Sequence, residues 1–188
     1  MTRSNGRARR YAIAALAALG LTVPAAAPST AAAAPCEGRT AHPAHASTAK
    51  IRTATLCLLN RRRAAHGARK LRHNQRLAAA ARAHAGDMVR RNYFDHTAPG
   101  GVSFVDRIMR EDYVSPNQGW TLGENLAWGS YQLATPKSIV RSWMHSPGHR
   151  ANILNRRFRE VGIGVVPGAP VSGTDHAATY ATSFGTRF

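Results

Sequence analysis

Apolar positions recur along the chain with two different periods, and the change from one to the other organises it. From Thr48 onward Ile51, Ala54, Thr55, Leu58 and Leu59 fall at helical spacing until Gly67 ends the run. Asn74 then has the chemistry of an N-cap for a second helix reaching about Arg91, with Leu77, Ala81, His84 and Met88 on one stripe. Ser103 and Asp106 form a capping box for a third helix carrying Phe104, Ile108 and Met109. Thr135 and Pro136 open a fourth, with Ile139, Val140, Trp143 and Met144 facing inward. At Ser146-Pro147-Gly148-His149 the chain restarts as a short fifth helix, with Ser146 as its N-cap and His149 near its N-terminus.

The strand period belongs mostly to the second half. Trp120 to Trp128, Glu160 to Val166 and Ala178 to Phe184 are β-rich, and Gly162 and Gly164 interrupt the middle run. Helices first and strands later predict an α+β fold, a sandwich over an antiparallel sheet in a single domain spanning residues 48–188. The length of 188 residues and a hydrophobic fraction of 44% fit one core of ordinary size. They exclude collagen-like, coiled-coil and multi-pass membrane chains.

The first 34 residues read differently. Arg3, Arg7, Arg9 and Arg10 precede the apolar run from Tyr11 to Val23, and the Ala-rich stretch after it ends at Ala32-Ala33-Ala34. This is the pattern of a secretory signal peptide over residues 1–34, and a run that short cannot span a bilayer as a helix. Its removal lowers the formal charge from +17 to +13, because four of the 26 Lys and Arg lie within it. A basic exported protein is drawn to anionic cell-wall polymer and lipid headgroups. No zinc-finger spacing or aromatic RNA-binding signature is present, so no specific nucleic acid is expected as a partner.

Residues 35–47, rich in Pro, Ala and His, are expected to form a mobile leader. It contains Cys36, and the second cysteine of the chain is Cys57. In an oxidising compartment an even pair points to one disulfide, tying the mature N-terminus to the first helix.

Three polar residues stand beside backbone punctuation that could set them in a cavity: His96 before Thr97 and Pro99, Glu124 after Gly123, and His149 after Gly148. Two imidazoles and a carboxylate are a ligand set for zinc or another divalent metal, with an open position for water. Each also has a structural reading: His96 as a loop hydrogen-bonder, Glu124 as the partner of an Arg, His149 as part of a helix start. Asp95 reads as a turn residue. His145 lies four residues before His149 across a Pro-Gly break, where a common helical face is not secured.

These residues belong to longer motifs, and with them the chain resembles a known family. Leu59-Asn60 with Arg62, Tyr93-Phe94-Asp95-His96-Thr97, Gly123-Glu124-Asn125-Leu126-Ala127-Trp128-Gly129, Trp143 to Leu154, and Val161-Gly162-Ile163-Gly164 occur in order. Together they resemble the CAP domain, also called the SCP domain, in its bacterial extracellular branch. The resemblance implies an α-β-α sandwich with a central antiparallel sheet and a cleft floored by two His and two acidic residues. His96, Glu124 and His149 match three of those positions, whereas the fourth falls at the uncharged Ser146. It also implies Asp95, Thr97, His145 and Ser146 as cleft-lining neighbours, and a small apolar ligand, wall component or divalent metal as what the cleft takes.

The expected function is therefore that of a secreted, monomeric binding module associated with the cell envelope. The competing expectation is a metal-assisted hydrolase of peptide or wall polymer, with His96 and His149 as ligands and Glu124 as third ligand or general base. One Glu cannot hold both posts. No G-x-S-x-G elbow supports a serine hydrolase.

Overall fold

The computed structural model describes residues 34–188, and in it most of the expected helix starts are marked by a capping oxygen. Ser47 Oγ accepts from the backbone N–H of Lys50 at the start of α1 (Thr48–Ala65). Asn74 Oδ1 accepts from both Arg76 and Leu77 at the start of α2 (Gln75–Arg91). The Ser103–Asp106 capping box is formed in both directions and opens α3 (Phe104–Arg110). Thr135 caps α4 (Pro136–His145), with Pro136 in the first turn. Each such cap satisfies a backbone donor that the helix itself leaves orphaned. Ser146 is the exception. It occupies the N-cap of α5 (Pro147–Leu154), but its side chain makes no capping bond.

The sheet contains β1 (Arg72–His73), β2 (Trp120–Ser130), β3 (Glu160–Pro167) and β4 (Ala177–Arg187), in the order β1-β3-β4-β2. β3 and β2 both pair antiparallel with β4, as expected, while the two-residue β1 pairs parallel with β3 at the edge. β2 runs two residues past Trp128 and then tightens into a 3-10 turn, Tyr131–Ala134, in which Tyr131 takes a left-handed φ of 50°.

Strand alternation sorts the core into two layers. Val161, Ile163 and Val165 of β3 join Tyr180 and Phe184 of β4 in one cluster with Ile51, Leu59 and Trp143 from α1 and α4. On the opposite face Leu126 of β2 and Ala181 of β4 pack against Ala81, Ala85 and Met88 of α2. Gly162 and Gly164 point to this second face, where α2 comes so close that an added Cβ would lie 2.0 Å from the Leu77–Ala78 peptide and 2.4 Å from that of Ala81–Arg82. These glycines seat α2 directly on the strand backbone. The result is the α-β-α sandwich, with α1, α4 and α5 on one side and α2 and α3 on the other.

Cys36 is buried and joined to Cys57, with the Cα atoms 5.7 Å apart. The segment 35–47 is a series of turns: Arg39 O accepts from Lys137 N, and His42 Nε2–H donates to His176 O across 3.0 Å. The expected signal peptide lies outside the described residues apart from Ala34. Among the described residues no helix is long and apolar enough to cross a membrane.

Candidate functional site

The His96 loop is shaped before it reaches its partner. Asp95 Oδ1 accepts from Thr97 N at 2.7 Å, an Asx turn that reverses the chain, and Asp95 O accepts from Nε2–H of the buried His84 at 2.9 Å. Ala98 and Val102 close the loop as an antiparallel bridge. This arrangement turns His96 Nδ1 to within 2.9 Å of Glu124 Oε1.

Glu124 lies on β2, on the same face as Leu126 and hence under α2. Its side chain is 2% exposed, against 50% for His96. Burial of a carboxylate at that depth requires compensation, and Arg107 of α3 supplies it. Arg107 Nη2 donates to Glu124 Oε2 at 2.8 Å and to Oε1 at 3.1 Å, and to His96 O at 2.9 Å, while Nη1 donates to Val102 O. One buried guanidinium thus fixes both the carboxylate and the loop that carries His96.

α5 is docked on the same strand by amides. Asn125 Nδ2 donates to His149 O at 3.0 Å, and Asn152 Nδ2 donates to Glu124 O at 3.0 Å and Asn125 Oδ1 at 2.9 Å. The Gly-Glu-Asn run of β2 and the His-x-x-Asn run of α5 are therefore two halves of one junction. It brings His149 into the field of His96.

The two imidazoles are biased in opposite directions. The hydrogen bond to Glu124 raises the pKa of His96 above its usual 6.5, against the desolvation that opposes it. Burial lowers the pKa of His149, and the charge of His96 adds to the effect. His96 is thereby biased toward its protonated form and His149 toward its neutral one.

The structure joins His96 to Glu124 by a hydrogen bond and places His149 within electrostatic range of His96, with no side-chain hydrogen bond of His149 to either among the described residues. Asp95 engages its carboxylate in the turn, where it accepts from Thr97 N–H, while His145 Nδ1–H donates back to Arg141 O along its own helix. Arg107 is the residue that the sequence reading missed. Its signal was present: it stands three residues after Phe104 and beside Ile108, on the inward stripe of α3, where a charge needs a buried partner.

The residues do not fit a divalent metal as they stand. Both oxygens of Glu124 are held by a cation already in place, and among the described residues no three His, Cys, Asp or Glu side chains form a group able to hold a metal ion.

The comparisons with known proteins agree with the motifs. The Bacillus subtilis protein YkwD is 40% identical over 109 residues, 58% of this chain and 40% of that protein. The Bacillus subtilis membrane protein YlbC is 36% identical over 110 residues and 30% of its own length. The chain therefore spans well under half of the curated relatives it matches. Among solved structures, an extracellular protein containing an SCP domain from Bacillus anthracis is 26% identical with a TM-score of 0.56, over 74% of this chain and 43% of that one. An outer surface protein of Borrelia burgdorferi, 20% identical, shares the fold with a TM-score of 0.63 over 76% of this chain and 97% of its own. The family described as the cysteine-rich secretory protein family, CAP, matches residues 56–182, and the chain belongs to it.

Proposed function

We propose that this protein is an exported binding module that holds anionic envelope polymer, with the His96 cleft as the place where one phosphate of the polymer seats. The observation that carries this reading is the closure of Glu124 by Arg107. With the carboxylate neutralised, the titratable group left facing solvent is His96, whose side chain is half exposed and whose protonation is favoured.

Binding is preferred to hydrolysis because a general base needs a carboxylate free to take a proton. Glu124 accepts from Arg107 and His96 and is shut away from water. The extracellular setting of the Bacillus anthracis relative and the Arg-led apolar N-terminal segment support export.

The test is equilibrium binding of the chain lacking residues 1–34 to poly(glycerol phosphate), with phosphatidylglycerol vesicles as a second surface. Affinity should fall steeply and linearly in log-log form with added salt, by counterion release. It should also fall in a His96→Ala variant. Salt-insensitive binding, or none, would overturn the reading.

A further inference from the structure

A pocket of about 270 Å³ lies where three distant stretches meet: the 35–47 segment anchored by Cys36, the 3-10 turn Tyr131–Ala134, and the loop leading into β4. Backbone and imidazole bonds fix its shape. His176 O accepts from Tyr131 N at 2.8 Å and from His42 Nε2–H at 3.0 Å, while His42 Nδ1 accepts from Ala44 N. Tyr131 and His176 both hold left-handed backbone, with φ of 50° and 48°. For a bulky residue such as Tyr that conformation is unfavourable, and it persists only where the surroundings impose it. So held, the Tyr131 ring is 55% exposed at the pocket and 5.0 Å, centroid to centroid, from that of His176. The lining contains no Lys, Arg, Asp or Glu. The rings of His45 and His176, the amide of Gln132 and the hydroxyl of Thr40 make no hydrogen bond among the described residues. Each of these groups can both donate and accept. His42 spends both ring nitrogens within the chain, so the three imidazoles form no metal centre among the described residues.

An ionic ligand finds no carboxylate, ammonium or guanidinium in this lining, and a purely apolar one would leave its polar side chains unmatched. A sugar ring answers both halves of the pocket. Its hydroxyls donate and accept, and its C–H face packs on an exposed phenol ring. An acetamido group pairs in addition with the Gln132 amide, donor to acceptor in both directions. The volume is just below the range of drug-sized sites, which suits one pyranose ring rather than several. We propose that this pocket is a saccharide site that takes one N-acetylated hexosamine ring of a neutral oligosaccharide, with its C–H face on Tyr131 and its acetamido group at Gln132. The site shares no residue with the His96 cleft and does not depend on what the cleft binds.

The probe is triacetylchitotriose, followed by calorimetry and by amide and ring-proton shifts in the intact exported chain. Expected is saturable one-site binding with Kd on the order of 1 mM, with shifts concentrated at Thr40, His45, Tyr131, Gln132 and His176. The deacetylated trimer, which carries ammonium in place of acetamido, should bind at least about tenfold more weakly. Tyr131→Asn removes the ring but keeps a residue that accepts left-handed backbone, so it should abolish binding with the melting temperature unchanged or raised. Gln132→Leu removes an amide that makes no bond within the chain, and it should weaken binding by about tenfold without changing the melting temperature. Full affinity in either variant, equal binding of the deacetylated trimer, shifts centred on His96, or no saturation would each overturn the proposal.

Discussion

Arg107 Nη2 lies 2.8 Å from Glu124 Oε2 and 3.1 Å from Oε1, with the two side chains only 10% and 2% exposed. The acidic residue at the centre of the family motif is therefore one half of an internal ion pair. Arg107→Ala would strand a buried carboxylate and should cost about 3–5 kcal/mol. The double variant Arg107→Met with Glu124→Met should be less destabilised than Arg107→Ala alone. Urea unfolding of these variants beside the wild type measures this, and a double variant as destabilised as Arg107→Ala or more so would contradict it.

The same pair bears on metal. Equilibrium dialysis of the wild-type chain against zinc at neutral pH should show no stoichiometric uptake, because an ion at Glu124 would have to displace Arg107. One tightly held zinc per chain, lost in both His96→Ala and His149→Ala, would restore the hydrolase reading.

Stability should follow pH through two histidines acting in opposite senses. His96 has its pKa raised in the folded chain, so its contribution is fully present below the unfolded value near 6.5 and is lost as pH rises through the folded value. His149 has its pKa lowered. It therefore costs stability as pH falls through 6.5 toward its folded value, where the unfolded state binds the extra proton. Ring-proton titration by NMR should place His96 above His149, and Glu124→Gln should bring His96 down. The reverse order would remove the electrostatic basis of the cleft.

Reduction of Cys36–Cys57 should lower stability by about 3 kcal/mol, since the bridge closes a loop of 21 residues in the unfolded chain. Thermal melts with and without dithiothreitol check this, and an unchanged melting temperature would show that the segment 35–47 is held by its other contacts, such as those of Arg39 and His42.

The helices were legible because their signals are local. Asn74, the Ser103–Asp106 box and Thr135-Pro136 each act within one turn, and the apolar stripes behind them are periodic. The pairing of His96 with Glu124 was legible only through the family motifs, since their spacing alone does not bring them together. What escaped was non-local. β1 is two residues long and exists because Arg72 N and Asn74 N find the carbonyls of Arg159 and Val161, which no alternation in Arg72-His73 announces. Arg63, in a helix of many arginines, is the one that is fully buried, with Nε on Arg69 O and its terminal nitrogens on Ile153, Asn155 and Phe158 carbonyls. It continues the stripe of Ile51, Thr55 and Leu59 at i+4 spacing, but the carbonyls that hold it come from the distant 153–158 segment. Arg107 likewise had a local sign of burial on the inward stripe of α3, but its partner lies seventeen residues away on β2.

The most direct measurement is the NMR titration of the His96 ring in the absence and presence of poly(glycerol phosphate). If the polymer seats a phosphate in the cleft, the ring resonances shift and the His96 pKa rises further on binding, with both effects fading as salt is added. If the polymer binds and the His96 titration does not move, the polymer is held elsewhere on the basic surface and the cleft has no part in it.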